Sequence, residues 1–170
     1  MRQTGQVLPA FEFRTLSGAT WRSDAAAPTP FRLLVVYRGM WCGQCKKQLI
    51  ALNELHDSFV SAGAPPIAVS ADTEPRSRST QRDYKLDKLD LGFEMPIDFA
   101  RQLGVFVSTG VTEREMPLFC EPATFLITAD NRIQAAWITS CAFGRVRMDE
   151  VRGYVDFVKE HPGRPPRGSG

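Results

Sequence analysis

The chain has 170 residues, of which 43% are hydrophobic and 24% are charged, with a formal net charge of +2. This length and composition predict one soluble domain with a sizeable core, and they exclude collagen, a coiled coil and a wholly disordered chain. The 21 Lys and Arg residues barely exceed the 19 Asp and Glu residues, so there is no cationic surplus to neutralise phosphates. Nucleic acid is therefore not expected as a partner.

Membrane association is not expected either. The longest strongly apolar run, residues 33–37, is far shorter than the roughly 18 residues that a membrane span needs. The polar start of the chain, residues 1–6, lacks the apolar segment of a secretory signal, so we expect a cytoplasmic protein. In a reducing compartment the four cysteines, at positions 42, 45, 120 and 141, indicate redox or metal chemistry rather than a disulfide scaffold.

The first half of the chain predicts a β-hairpin, a buried strand and a long helix. Residues 8–13 alternate apolar and polar side chains, and the Ser-Gly turn at 17–18 precedes a second short segment, which predicts an N-terminal strand or hairpin. Residues 31–37 are apolar without alternation, which is typical of a central strand buried on both faces. Apolar residues at helical spacing then predict one helix over 43–60.

The second half predicts further strands and helices. Residues 67–70 predict a second buried strand, and the segment after it predicts a helix to about residue 89. Two strands, over 123–128 and 132–139, predict a β-hairpin, and residues 148–159 predict a last helix.

This order of elements predicts an α/β fold: a three-layer α/β/α sandwich with a central mixed β-sheet and an N-terminal β extension. Residues 1–160 are expected to form its single domain. Residues 161–170 are expected to form a flexible tail, because they contain too little apolar surface to be buried.

A Cys-x-x-Cys pair lies where the predicted central strand ends and the long helix begins. At a helix start, unpaired backbone N–H groups and the positive end of the helix dipole favour a thiolate at Cys42. Side chains three residues apart on a helix are about 5 to 6 Å apart, a separation from which two sulfurs can form a disulfide. The sequence therefore predicts Cys42 as the nucleophile and the more shielded Cys45 as the resolving thiol.

Two other interpretations of the pair are a zinc site and a pair of inert buried cysteines. Zinc needs two more ligands, and Cys120 and Cys141 do not form a second pair of suitable spacing, so neither a metal nor another cofactor is predicted. Cys120 and Cys141 are themselves either additional redox cysteines or small buried hydrophobic residues.

Three segments together resemble the thioredoxin superfamily, and within it the peroxiredoxin-like group that carries the alkyl hydroperoxide reductase/thiol-specific antioxidant domain. They are residues 8–13 (Leu-Pro-Ala-Phe-Glu-Phe), 36–45 (Val-Tyr-Arg-Gly-Met-Trp-Cys-Gly-Gln-Cys) and 121–127 (Glu-Pro-Ala-Thr-Phe-Leu-Ile). The resemblance covers nearly the whole chain and implies a thioredoxin-like fold. It also implies that Pro122 is a cis residue packed beside the redox pair, where the adjacent backbone would face an extended substrate.

The resemblance assigns supporting or substrate-binding roles to the residues around the pair. These residues are Trp41, Gly43, Gln44, Arg38, Glu121 and Pro122. Glu121 is expected to be the carboxylate nearest to the cysteines.

The chain also departs from the family pattern. Peroxidatic sites carry a Thr or Ser three residues before the nucleophile and an Arg before the Ala-Thr-Phe of the hairpin, and here Gly39 and Pro122 hold those positions. Arg38 is the nearest substitute for that arginine. Relative to thioredoxin, Gln44 replaces a proline and Val36 replaces a buried aspartate. The missing hydroxyl and arginine favour disulfide exchange over peroxide reduction.

The leading hypothesis is a thiol oxidoreductase of the peroxiredoxin-like group that cycles Cys42 and Cys45 between a dithiol and a disulfide. Its expected partners are a disulfide-containing or peroxide substrate and an external thiol reductant of the thioredoxin or glutathione type, and a homodimer is left open. One alternative is a thiol-dependent hydroperoxide peroxidase with an antioxidant role, in which Cys42 is peroxidatic and Cys45 resolving. Another is a redox sensor that binds a partner without turnover.

Overall fold

The computed structural model describes residues 4–25 and 27–168. Its strands are β1 (Glu12–Thr15), β2 (Thr20–Arg22), β3 (Phe31–Val36), β4 (Pro66–Val69), β5 (Leu91–Phe93), β6 (Val107–Thr109), β7 (Leu118–Cys120), β8 (Ala123–Thr128) and β9 (Ile133–Ile138). Its helices are α1 (Gly43–Glu54), α2 (His56–Ser61), α3 (Glu74–Asp83), α4 (Ile97–Leu103) and α5 (Met148–Glu160).

Within the described residues, seven strands form one mixed sheet in the order β2-β1-β5-β4-β3-β8-β9, and β6 pairs with β7 in a separate ribbon. The neighbours β3, β4 and β5 are parallel, whereas the hairpins β1–β2 and β8–β9 and the pair β3–β8 are antiparallel. Strand β3 lies inside the sheet, and all six of its residues are buried. The end of β3, from which the Cys-x-x-Cys segment continues, is therefore fixed from both sides.

Successive residues of β3 point into two different cores, as the pleat of a strand requires. Leu33 and Val35 pack with buried residues of α1, α2 and α5, whereas Leu34 and Val36 pack with buried residues of α4. Helices thus cover both faces of the mixed sheet. The predicted three-layer sandwich and its N-terminal β-hairpin are confirmed.

Several predicted boundaries were wrong. The helix expected over 43–60 is interrupted at Leu55, whose backbone (φ −89°, ψ 1°) separates α1 from α2. Helix α3 ends at Asp83 rather than near residue 89, because Lys85 has a left-handed backbone (φ 56°) that an α-helix cannot contain. Strands β5, β6 and β7 and helix α4 were not predicted from the sequence.

The C-terminal residues that are described contact the domain. The Arg164 guanidinium lies 5.1 Å from the centre of the Phe157 ring, and the Thr4 hydroxyl donates a hydrogen bond of 2.6 Å to the Arg167 carbonyl. The flexibility of the tail stays a prediction, and its last two residues, like residues 1–3, lie outside the described residues. In the part of the chain that is described, no helix is long and apolar enough to cross a membrane.

Strand β5, at Gly92, joins the N-terminal hairpin to the parallel strands, and a substitution at Gly92 tests how closely the side chains pack there. A Cβ atom at this position would lie 2.3 Å from Phe13 Cε2 and 2.8 Å from Val69 Cγ2. We expect Gly92→Ala to lower the free energy of unfolding by about 1 to 3 kcal/mol, because the overpacked side chains must shift. Gly153→Ala is the matched control: its Cβ would meet nothing within 4 Å in α5, so a gain of up to about 1 kcal/mol is expected. Urea unfolding compares the two, and equal stabilities would contradict the tight junction.

Candidate redox site

Cys42 is the N-cap residue of α1. Its backbone is extended (φ −88°, ψ 105°), and its Sγ accepts a hydrogen bond of 3.3 Å from the backbone N–H of Cys45. This N–H belongs to the first turn of the helix, where backbone donors lack partners and the helix dipole is positive. The Cys42 sulfur therefore occupies the position that the sequence predicted, where negative charge is stabilised.

Cys45 lies one turn into the helix and is fully buried. Its Sγ accepts a hydrogen bond of 3.3 Å from the backbone N–H of Arg38, which follows β3. All four cysteines of the chain are free, so the structure represents the dithiol form.

The side chain of Arg145 contacts both sulfurs. Its Nη2 lies 3.4 Å from Cys42 Sγ and 3.2 Å from Cys45 Sγ. The guanidinium is held in place because Nη1 donates to Gln48 Oε1 and Nε donates to the Ala142 carbonyl, each at 2.8 Å. The cation at the redox pair is thus Arg145, from the loop between β9 and α5.

Arg145 was not predicted from the sequence. The residue lies 103 positions after Cys42, and no spacing or neighbouring motif in the sequence distinguishes it from a surface arginine. Only the fold brings the β9–α5 loop to the start of α1.

The two thiols have opposite pKa shifts. Hydrogen bonds from the Cys45 side chain and backbone, together with the charges of Arg145 and Arg38, lower the pKa of Cys42 to about 5. Burial, reinforced by the neighbouring Cys42 sulfur, raises the pKa of Cys45 far above that of a free thiol. At neutral pH the pair therefore holds one thiolate, on Cys42, and one thiol, on Cys45.

A buried polar network fixes the loop that precedes Cys42. The backbone N–H of Met40 donates to Asp72 Oδ2 at 2.8 Å, and the Tyr84 hydroxyl donates to the Met40 carbonyl at 2.6 Å. Asp72 is fully buried and also accepts a hydrogen bond of 2.8 Å from Arg76 Nε. Burial raises the pKa of Asp72, and the Arg76 charge opposes that shift. This network was also missed, because its members lie in three separate segments.

The Trp41 side chain occupies the space beside Gly39, the position at which peroxidatic sites carry a Thr or Ser hydroxyl. Gly39 has φ +154°, and a Cβ at this position would lie 2.1 Å from Trp41 Cζ3. The Trp41 ring itself packs edge-on against Phe119, with ring centres 5.2 Å apart, and lies under the Arg76 guanidinium. The indole therefore fills the space into which a Thr or Ser side chain would project.

Arg38 and Glu121 form a buried ion pair. Arg38 Nε lies 3.2 Å from Glu121 Oε2, although without hydrogen-bond alignment, and the Ser108 hydroxyl donates to Glu121 Oε1 at 2.7 Å. The Arg38 guanidinium also lies 4.8 Å from the centre of the Phe119 ring. The Arg38 side chain is thus directed to Glu121, and the residue contacts a sulfur through its backbone.

The predicted cis bond at Pro122 was wrong, because the Glu121–Pro122 peptide is trans. The Pro122 carbonyl accepts a hydrogen bond of 3.0 Å from the backbone N–H of Thr139, which extends the pairing of β8 with β9. The trans state is also the intrinsically favoured one for an X–Pro bond. The Glu121–Pro122 peptide therefore does not provide the cis-proline on which a substrate groove was expected.

The remaining sequence-predicted residues differ in exposure. Gly43 is exposed and Gln44 half-buried, both in the first turn of α1. Cys120 is fully buried, and burial raises its pKa to about 12, which favours the interpretation as a small hydrophobic residue. Cys141 is exposed, with its Sγ 3.6 Å from the Phe143 carbonyl. Among the described residues there is no cluster of three or more His, Cys, Asp or Glu that could hold a metal ion.

Replacing Arg145 tests its effect on the Cys42 thiolate. Removal of an opposite charge in contact with the sulfur should raise the pKa of Cys42 by about 1 unit or more in Arg145→Met. The measurement is the rate of Cys42 alkylation by iodoacetamide as a function of pH, followed by peptide mass mapping. Arg147→Met is the control, because that exposed side chain pairs with Asp149. Coincident pH profiles for the wild type and Arg145→Met would show that Arg145 does not stabilise the thiolate.

Gly39→Thr tests whether the missing hydroxyl can be restored. Because the new side chain meets the Trp41 ring and position 39 has positive φ, we expect the free energy of unfolding to fall by about 1 to 3 kcal/mol. We also expect no faster oxidation of Cys42 by hydrogen peroxide. Denaturant unfolding and stopped-flow oxidation measure the two effects, and a stable variant with faster peroxide oxidation would contradict this packing argument.

Comparison with known proteins places this site in a family. The model of the AhpC/TSA family matches residues 4–136. A thiol-disulfide oxidoreductase, ResA of Bacillus cereus, is 28% identical over 121 residues, which are 71% of this chain and 59% of the relative. The chain thus spans less than two thirds of the length of that curated relative.

Solved structures share the fold. Peroxiredoxin 6 of Arenicola marina, in a cysteine-to-serine mutant form, superimposes with a TM-score of 0.81 at 19% identity, covering 96% of this chain and 76% of that chain. AhpC of Mycobacterium tuberculosis superimposes with a TM-score of 0.74 at 19% identity, covering 96% and 97%. At this identity the likeness shows the thioredoxin-like, peroxiredoxin-type fold alone. With its matched family model, its fold and its Cys-x-x-Cys site taken together, the chain belongs to the AhpC/TSA family.

Proposed function

We propose that this chain is an enzyme, a thiol-disulfide oxidoreductase in which Cys42 attacks a substrate disulfide and Cys45 resolves the mixed disulfide. The observation that carries the proposal is the position of the two sulfurs: Cys42 is the N-cap residue of α1, and Cys45 lies one turn further on and is fully buried. The family membership and the similarity to a thiol-disulfide oxidoreductase support the same chemistry.

In the first step, the Cys42 thiolate attacks one sulfur of the substrate disulfide. A bond forms between Cys42 Sγ and that sulfur, the substrate S–S bond breaks, and the other sulfur leaves as a thiolate. The lowered pKa of Cys42 ensures that the nucleophile is ionised at neutral pH. Its negative charge is lost when the mixed disulfide forms.

In the second step, Cys45 loses its proton and attacks Cys42 Sγ. Burial and the neighbouring Cys42 thiolate both raise the pKa of Cys45, and the contribution of the thiolate is lost when the mixed disulfide forms. The guanidinium of Arg145, 3.2 Å from Cys45 Sγ, is then free to stabilise the second thiolate. The bond between Cys42 Sγ and the substrate sulfur breaks, and the departing thiolate accepts the proton that Cys45 gave up. The thiolate released in the first step takes a proton from the solvent, so the substrate leaves as two thiols and the protein keeps a Cys42–Cys45 disulfide.

An external thiol reductant, of the thioredoxin or glutathione type, would return the pair to the dithiol in the cytoplasm. Two electrons pass from that reductant to the protein disulfide, which balances the two electrons given to the substrate. The reductant, the cytoplasmic location and a homodimeric assembly remain parts of this proposal.

A hydroperoxide peroxidase is the second candidate, and Arg145 is the observation that favours it. A guanidinium beside Cys42 is a donor of the kind that peroxide cleavage requires, and it replaces the arginine that the chain lacks at position 122. The Trp41 ring at Gly39 weighs against this candidate, because no hydroxyl can be placed there to orient a peroxide. Disulfide exchange needs only the thiolate and the resolving thiol, and no hydrogen-bond donor that orients a peroxide.

The enzymatic proposal is tested with the reduced protein and its Cys45→Ser variant. Bis(hydroxyethyl) disulfide should oxidise the wild type to a Cys42–Cys45 disulfide, whereas Cys45→Ser should stop at a mixed disulfide on Cys42, detected by intact mass and peptide mapping. Cys141→Ser is the control and should behave like the wild type, since its thiol is exposed and lies outside the pair.

Two further measurements on the same proteins separate the three hypotheses: oxidation by hydrogen peroxide and turnover with a dithiol reductant. Oxidation of Cys42 by hydrogen peroxide more than about 1,000-fold faster than that of a free thiol of matched pKa would make the peroxidase the leading function, because one well-placed donor accounts for a factor of that size. Absence of turnover with excess dithiol reductant would instead indicate a redox sensor. A mixed disulfide that is trapped on Cys45 in Cys42→Ser, with none on Cys42 in Cys45→Ser, would reverse the proposed roles of the two cysteines.

A further inference from the structure

A groove of about 560 Å³ lies between α1 and the segment that joins β9 to α5. One wall is a single face of α1 and its C-cap residue, on which Gln44, Gln48, Ala51 and Leu55 recur at helical spacing. The other wall consists of residues 142–149, from the loop and the first turn of α5. At 1.5 Å per residue, the α1 wall is about 16 Å long, which suits an extended group.

The inner end of this groove adjoins the redox pair. Gln48 and Arg145 line the groove, and the Gln48 side chain accepts a hydrogen bond of 2.8 Å from Arg145 Nη1. The same guanidinium contacts Cys42 Sγ at 3.4 Å. A molecule that occupies the groove therefore contacts Arg145, whose guanidinium contacts the Cys42 sulfur.

The walls are mainly apolar. They include Ala51, Leu55, Phe143, Val146 and Met148. Phe143 is 67% exposed, so its side chain is an accessible part of the groove wall. A concave, apolar site with a few fixed polar groups at one end is the usual form of a small-molecule site, and a volume between about 300 and 1,000 Å³ is typical.

The charges of the lining balance once the Cys42 thiolate, which contacts Arg145, is counted with them. The charged residues are Lys47, Glu54, Arg145, Arg147 and Asp149. Arg147 pairs with Asp149 at 2.7 Å, and Arg145 faces the Cys42 thiolate. Lys47 and Glu54 carry opposite charges, so the groove has no net charge with which to select a strongly charged ligand. An uncharged apolar group is the best match.

We propose that this groove binds the apolar chain of a neutral, low-molecular-weight disulfide and thereby places its S–S bond against Cys42. This inference rests on the proposed function and specifies its substrate class. The covalent step is the first step given above: a Cys42–substrate S–S bond forms, the substrate S–S bond breaks, and the other substrate sulfur leaves as a thiolate.

The test compares two neutral disulfides that differ in chain length. Reduced protein is mixed with bis(hydroxyethyl) disulfide or with bis(hydroxyhexyl) disulfide, and the second-order rate of Cys42–Cys45 oxidation is followed by acid quenching and mass analysis. Each methylene buried in the groove should favour reaction by about fourfold. We therefore expect the hexyl compound to react at least about tenfold faster with the wild type.

Two variants locate this preference in the groove. Phe143→Ser removes an exposed part of one wall, and Ala51→Glu places a charge in the other. Each should lower the rate with the hexyl disulfide about tenfold and the rate with the ethyl disulfide by a much smaller factor, because the shorter chain buries little apolar surface in the groove. The ethyl disulfide also verifies that each variant is folded and active. Val60→Ser is the control: this α2 side chain is 45% exposed and is not part of the groove lining, so neither rate should change.

The outcomes separate this inference from the proposed function. Equal rates for the two disulfides in the wild type, or a chain-length preference that survives both groove variants, would overturn the groove assignment while exchange itself stands. A chain-length preference seen with alkyl hydroperoxides but not with disulfides would also overturn it, in favour of the peroxidase. If neither disulfide oxidises the pair, the proposed function fails and the groove assignment fails with it.

Discussion

The contact between the Arg145 guanidinium and the two sulfurs is the interaction on which the chemistry of this site depends. A second thiolate beside the first is penalised by desolvation and by mutual repulsion of the two charges. A cation shared between the sulfurs, together with the N-terminus of α1, lets the single charge reside first on Cys42 and then on Cys45. In the resting dithiol, accordingly, the pKa of Cys42 is lowered and the pKa of Cys45 is raised.

The fold makes that contact possible by joining three distant segments. Strand β3 ends inside the sheet and delivers the Cys-x-x-Cys segment to the start of α1, and the loop before it is fixed by the hydrogen bonds of Met40 to Asp72 and Tyr84. The β9–α5 loop brings Arg145 to the start of α1. The same close packing places the Trp41 ring over Gly39, so the rigidity that positions Cys42 also removes the space for a peroxide-orienting hydroxyl. One wall of the apolar groove belongs to this loop, which connects the cation to the proposed substrate site.

Local patterns allowed most of the fold and the redox pair to be predicted. Strand β3, both hairpins and the last helix have strong apolar or alternating patterns, and the Cys42–Cys45 spacing is contained within one helical turn. Short elements such as β5 carry no such pattern: Gly92 is in a strand because it pairs with Thr15 on one side and Val69 on the other. Arg145 was not predictable for the same reason, since its contact spans more than half the chain. The cis state of Pro122 was carried over from a resemblance, and it was wrong.

The central claim is that Cys42 alone carries the charge of the resting pair. The most direct measurement is the ultraviolet absorbance of thiolate in the reduced chain with Cys120→Ala and Cys141→Ser, followed as a function of pH. We expect one thiolate to appear near pH 5 and the second to remain protonated until strongly alkaline pH. Two thiolates that appear together near the free-cysteine value of about 8.5 would contradict the account.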